Sequence, residues 1–315
     1  MIGAHAGETR GVVAGDAQTA RRAPADEPDG GASTVSRVAI VTDSVSDMSP
    51  EVAALHGITV VPLIVSFGPE SFRPNVDMTT DEFWARMTAP DAPFPTTAAC
   101  SAGDFLAVFD AAFDGGAEAV VCVTVSDQLS ATLKSAQIAR DMRPDREIHV
   151  VDSRSASAGE GLLAQMGSRL AAEGKSGSEI AAVLEDRKRD IDLYVALDTL
   201  EYLKRGGRIS GARAAVGSML SIKPIITVID GVVENAGQVR SRAKARERVL
   251  ELLTARPLER ATVVHSTRAD IEEFRAGFLE RSGLDPSLVD TLVIGASVGP
   301  HLGPGCVGAV ILYRR

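Results

Sequence analysis

Aromatic side chains are scarce in this 315-residue chain: one Trp, three Tyr and nine Phe, 4% in all. Proteins that stack bases or sugar rings need more aromatic faces, so the composition argues against both ligand classes. Positive charge is also in short supply. Lys and Arg total 33 against 42 Asp and Glu, for a formal net charge of -9. That balance removes bulk attraction to nucleic acid or to anionic lipid surfaces. Only three cysteines occur, Cys100, Cys122 and Cys306, far apart and with no CxxC pair. A zinc knuckle and a thioredoxin-like motif are thereby excluded. A sparse, odd cysteine set fits a reducing cytoplasm. The five histidines, His5, His56, His149, His265 and His301, show no metal spacing.

Long hydrophobic runs are missing too. Residues 1–36 are rich in Ala and Gly and contain no apolar core of signal-peptide length, so they read as a disordered tail. Thr291 to Tyr313 carries no Asp, Glu, Lys or Arg. Its centre, from Gly299 to Gly305, holds Pro300, Gly303 and Pro304, which would break a membrane helix. A strand, a Gly/Pro loop and a second strand fit this stretch better than stable membrane insertion.

What is present is aliphatic. Hydrophobic residues make up 45% of the chain, drawn almost wholly from Ala, Val, Leu and Ile. The length corresponds to about two domains. In the first, residues 37–165, short apolar runs at 37–42, 58–65, 119–125 and 148–151 alternate with helical patterns near 80, 102–113 and 130–142. That alternation predicts a parallel-sheet α/β layer sandwich. Thr79 with Glu82, Ser101 with Asp104, and Ser176 with Glu179 have the spacing of helix-opening capping boxes. From 166 to 315 the rhythm changes. Strands near 193–197, 225–230, 261–265, 291–296 and 306–312, with helices at 176–190, 243–254 and 269–282, predict a mixed-sheet α+β domain.

Polar loops follow the strands of the first domain: Asp43-Ser44, Thr96-Thr97, Ser126 to Ser130, and Asp152-Ser153. The crevice beyond the carboxyl ends of parallel strands is where ligands bind in open α/β sheets. Hydroxyls beside helix N-termini there suit an anion. Catalytic motifs fail on context. Gly295-Ala296-Ser297-Val298-Gly299 matches GxSxG, but a nucleophile elbow needs a helix next, and Pro300 opposes one. Gly303-Pro304-Gly305-Cys306-Val307-Gly308 matches GxGxxG but leads into a strand, and no GxxxxGK[ST] phosphate loop exists.

The motifs assemble in order into a family pattern. They are Thr42-Asp43-Ser44 with Asp47, Val61-Pro62-Leu63, Phe94 to Ser101, Leu129-Ser130-Ala131-Thr132, and Val151-Asp152-Ser153 with Gly159 and Gly161. Then come Leu200 to Ser210 around Gly206-Gly207-Arg208, Ile222-Lys223-Pro224-Ile225, and Gly299 to Gly305. Over residues 37–315 the sequence resembles the DegV family of bacterial fatty-acid-binding proteins, which includes the acyl-carrying subunits of fatty acid kinase. The resemblance implies two α/β domains with the lipid site between them, no cofactor, and a bound fatty acid as ligand. It implies that Thr97, Ser130 and His301 hold the carboxylate. It places Arg208 at the mouth of the site, and Arg240 on a surface used by a partner kinase that phosphorylates the bound acid. The chain departs from the pattern at Ala98-Ala99-Cys100, in place of Ser-Gln-Pro, and at Ala131, in place of a glycine. The latter is costly if the loop needs positive φ there.

The physical reading of those residues is a cytoplasmic carrier rather than an enzyme. A carboxylate beside His301 favours the protonated imidazole, which would strengthen the grip near neutral pH. Lining residues are sought in Val216–Ile226 and around Val293–Ala296. Two other readings use the same residues. One is an acyl-ester hydrolase with Ser130 or Ser297 as nucleophile, His301 as base, and Asp43 or Asp152 as the orienting acid. The other is a carrier of another amphiphilic acid, such as an isoprenoid or retinoid acid.

Overall fold

A computed structural model describes residues 38–212, 222–266 and 271–315. The tail assigned to 1–36 lies outside the described residues, as do residues 216–221 of the expected lining segment. The chain runs through β1 (Val38–Asp43), a 3-10 turn, α1 (Pro50–Leu55), β2 (Ile58–Val61), β3 (Ile64–Phe67) and β4 (Glu70–Phe72). It continues with α2 (Thr80–Met87), β5 (Thr96–Ala98), α3 (Ala102–Asp114), β6 (Ala119–Thr124), α4 (Thr132–Asp141) and β7 (Glu147–Asp152). Next are α5 (Ala158–Ala172), α6 (Gly177–Arg187), β8 (Ile191–Ala196), α7 (Glu201–Arg205), β9 (Lys223–Ile229) and β10 (Val232–Val239). The last elements are α8 (Arg242–Leu253), β11 (Leu258–His265), α9 (Ile271–Ser282), β12 (Val289–Val293), α10 (Gly299–Leu302) and β13 (Val307–Tyr313).

Among the described residues the strands form three sheets. The first is all parallel, in the order β2-β1-β6-β7, with Ile40 paired to Ile58 on one side and to Val121 on the other. Every residue of β6 is buried, as a strand covered on both faces requires. The chain leaves β1 for β2 on one side and returns past it to β6, so the sheet's topological switch lies between β1 and β6. The second sheet is mixed, in the order β10-β9-β8-β13-β11-β12, with only β11 and β12 parallel. Its side chains alternate between two cores. Leu193, Val195, Val264 and Val310 face the main core. Val263, Val307, Ala309 and Ile311 face a smaller core with Val249, Leu253, Phe274 and Phe278 of α8 and α9. The third sheet, β4-β3-β5, is antiparallel and small.

All three capping boxes form: Thr79 with Glu82, Ser101 with Asp104 and Ser176 with Glu179. The single strand read over 58–65 is two. Pro62, with no N–H to give a ladder, breaks the run, and β3 joins the small sheet instead of the parallel one. Helices α5 and α6 both pack on the parallel sheet, and the boundary placed at 165 falls inside α5. The loop expected across 299–305 contains the one-turn helix α10. Pro300 sits in its first turn, where a missing N–H costs nothing.

Three carboxyl groups lie beneath the switch, Asp43 and Glu160 fully buried and Asp47 half-buried. Asp43 accepts the backbone N–H of Val45 (2.9 Å) through Oδ1 and that of Val125 (3.0 Å) through Oδ2. Glu160 Oε1 accepts the Thr42 hydroxyl (2.7 Å) and the Asp43 N–H (3.2 Å). Asp47 accepts the Ser157 hydroxyl (2.6 Å) and the Gly295 N–H (2.9 Å). Burial pushes Asp43 up to about 6 and Asp47 up to about 7. Burial, reinforced by the charge of Asp43, holds Glu160 well above the usual carboxylate range.

The folded chain therefore keeps protons that the unfolded chain releases. For these groups, stability is lost as pH rises from about 4 through about 7. Asp47→Asn removes one such group. Urea unfolding followed across that range should show a shallower fall of stability with pH than the native sequence, and an unchanged slope would contradict the burial argument.

Candidate binding site

At the switch, the segments that leave β1 and β6 face the inner side of the mixed sheet. Between them is a cavity of about 1070 Å³, counting the space at its opening. Its wall includes Val45 and Val125 from the parallel-sheet side, and Leu193, Val195, Val264 and Val310 from the mixed sheet. Among the described residues, no Phe, Tyr or Trp lines it. Of the stretches expected to contribute, Ile226 and Ile294 do line it.

The polar end collects residues far apart in sequence: Thr97, Ser130, Arg208 and His301 all line the cavity. Thr97 is the middle residue of β5, paired opposite Val65 of β3. Its hydroxyl lies 3.2 Å from His301 Nε2. Ser130 precedes α4. Its Oγ accepts the Thr132 N–H (3.3 Å) and shares a hydrogen bond with the Thr132 hydroxyl (2.8 Å), so it stands at the positive end of a ten-residue helix. Between them, Ala131 has φ −76°, an ordinary value, and the cost foreseen for replacing glycine there does not arise. Arg208 donates from Nε to the Leu129 carbonyl (3.0 Å) and from Nη1 to the Gly206 carbonyl (2.7 Å). Arg240 lies elsewhere, exposed between β10 and α8 and not lining the cavity.

His301 is held from behind by a glycine. A Cβ on Gly206 would stand 2.2 Å from His301 Nδ1, so only glycine lets α7 approach the ring. The favour is returned at Gly303, the C-cap of α10 with φ +73°, where a Cβ would run into the Tyr202 ring of α7. This interlock was not foreseen from sequence; its signal was the Gly-Gly-Arg string after a short helix. His301 Nδ1 is buried with no hydrogen-bond partner. A buried nitrogen left without a partner costs about 1–3 kcal/mol.

The protonated imidazole expected here is not what the ligand-free site holds. Burial, with the Arg208 guanidinium adding to it, pushes His301 down to about 4. At neutral pH the ring is neutral and acts as a hydrogen-bonding group, and the positive charge at this end belongs to Arg208. Nor do the pieces of a hydrolase meet. Ser297 Oγ bonds Ser44 Oγ (2.8 Å), Ser130 bonds Thr132, and the imidazole bonds Thr97. Asp43 accepts two backbone N–H groups and Asp152 accepts that of Arg154. The described residues contain no cluster of His, Cys, Asp or Glu suited to a metal ion, and no helix long and apolar enough to cross a membrane. Replacing Arg208 by Gln should raise the His301 pKa in ligand-free protein. NMR titration of the imidazole reads this directly, and a value that stays put would remove Arg208 from the electrostatics of the site.

A family model described as an uncharacterised protein of the DegV family matches residues 37–314. A DegV domain-containing protein of Caldanaerobacter subterraneus is 31% identical over 280 residues, 86% of this chain and 97% of that protein. Among solved structures, a fatty-acid-binding DegV family protein from Thermus thermophilus superposes with a TM-score of 0.82 at 34% identity, covering 88% of this chain and 100% of that one. A stearic-acid-binding protein from Eubacterium ventriosum superposes with a TM-score of 0.79 at 28% identity, covering 88% and 98%. With the family pattern matched from the first strand to the last, this chain belongs to the DegV family.

Proposed function

We propose that this protein binds a long-chain fatty acid in the cytoplasm and presents it to a separate kinase, which converts the carboxylate to an acyl phosphate. The observation that carries the binding half is the form of the cavity. It is a ring-free aliphatic space that ends at a neutral imidazole, two hydroxyls, a guanidinium and a helix N-terminus. The related structures from Thermus thermophilus and Eubacterium ventriosum, described as binding fatty acid and stearic acid, support the same reading.

In this reading Thr97, Ser130 and His301 donate to the carboxylate, and Arg208 with the start of α4 meets its charge. Each donor to a charged acceptor contributes roughly 1.5–3 kcal/mol. A long chain, at about 0.8 kcal/mol per buried methylene, contributes on the order of 10 kcal/mol before the costs of association. The polar end sets orientation and the aliphatic wall sets most of the affinity. The kinase half rests on the family resemblance. This chain has no phosphate loop, so the nucleotide would come with the partner, and exposed Arg240 would belong to the surface that meets it.

Denaturing mass spectrometry of the purified protein should release a fatty acid. The double variant Thr97→Ala, Ser130→Ala should fold and bind fatty acid at least about tenfold more weakly; unchanged affinity would sink the assignment of these hydroxyls. With His301 neutral in the free site and donating as a neutral imidazole in the complex, the affinity lost in His301→Ala should be similar at about pH 6 and about pH 8.5. A loss concentrated at the lower pH would mean that the bound carboxylate raises the imidazole pKa and the ring takes up a proton on binding.

A further inference from the structure

The dipeptide Asp43-Ser44 ends β1 and does not line the cavity, yet its bonds reach the wall on several sides. The two carboxylate oxygens of Asp43 accept the N–H groups of Val45 and Val125. Ser44 Oγ accepts the Leu63 N–H (2.9 Å) and shares a hydrogen bond with Ser297 Oγ (2.8 Å). Val45, Val125, Leu63 and Ser297 all line the cavity. They come from four separate stretches: the turn after β1, the end of β6, the break between β2 and β3, and the segment before α10. Both residues of the pair are buried. Glu160 holds the Asp43 N–H from the far side.

We propose that Asp43 and Ser44 are positioning residues that set the bore of the cavity, by fixing wall residues of four chain segments to one point at the end of β1. The proposal rests on the fatty-acid reading above. Hydrophobic side chains alone would leave these segments free to slide, because apolar contact is not directional. Four hydrogen bonds to one dipeptide remove that freedom. On this view the pair acts on the lipid tail through the wall, while Thr97, Ser130 and His301 act on the head.

That division gives the test. The full chain, stripped of lipid, is titrated with saturated fatty acids of increasing length and with the matching fatty alcohols, which lack the carboxylate. Ser44→Ala removes the acceptor of the Leu63 N–H and the link to Ser297. Asp43→Asn sets an amide N–H₂ against one of two N–H groups that now meet a carboxylate. Each variant should weaken acid and alcohol alike, by roughly tenfold, and should shift the preferred chain length. Thr97→Ala should weaken the acid and leave the alcohol nearly unchanged. Thermal unfolding confirms the folded state, and Ser44→Ala, the milder change, gives the answer if Asp43→Asn does not fold. A purely structural pair would lower the melting temperature and leave the affinity of the folded protein and its ranking of chain lengths as they were; that result overturns the proposal. Wild-type protein that binds neither acid nor alcohol would overturn the fatty-acid reading itself, and the bore with it.

Discussion

The polar end of the cavity depends on how closely two short helices approach. The imidazole of His301 presses on the backbone of Gly206, and the ring of Tyr202 presses on Gly303, each filling the place of a missing side chain. Much follows from this double contact. It fixes the imidazole with Nε2 toward Thr97, an arrangement that spans 204 residues of sequence. It shuts water from Nδ1 and so keeps the ring uncharged. It also brings the loop after α7 over the start of α4, where Arg208 reaches the Leu129 carbonyl. A larger residue at either glycine would separate the helices and dismantle the group together, because all of its members are placed by the same packing.

The two sheets divide the remaining work. The parallel sheet supplies a topological switch, with loops and a helix N-terminus that can face an anion. The mixed sheet supplies an aliphatic face, with alternate side chains turned away to a second core. Neither would make the site alone: the parallel sheet lacks a wall for a long chain, and the connections of the mixed sheet bring Arg208 and His301 but neither Ser130 nor the start of α4. The acidic balance of the whole chain is no obstacle. A field from distant surface charge is screened within about 10 Å at ordinary salt, whereas Arg208 and the first turn of α4 stand at the cavity itself.

Much of this was legible in the sequence where the signal is local. The capping boxes at Thr79, Ser101 and Ser176 are written in residues three apart, and they form as read. The alternation of apolar runs with helical patterns gave the parallel sheet, and the charge-free C-terminal stretch proved to be strand, turn and strand around the brief α10. Helix α5 escaped notice because it is buried over most of its length and its polar face is short, confined to Gln165, Ser168 and Arg169. Strand β10 hid behind the irregularity between Asn235 and Gly237. The head-group residues could be listed only through the family pattern, because what joins Thr97 to His301 is tertiary packing. The charge of His301 in the empty site was hidden for the same reason: ionisation there depends on burial and on Arg208, which reaches the site from a third segment.

The lone tryptophan has a consequence of its own. Trp84 is buried outside the cavity, edge-on to Phe83, with its indole N–H donated to the Ile294 carbonyl (2.7 Å), while the Ile294 side chain faces the cavity. The protein thus carries a single tryptophan, bonded to the back of its own wall. Its emission reports the position of that main chain and is blind to direct contact with whatever fills the space. Any spectral change on filling would therefore be a signal of the wall moving, recorded without a label.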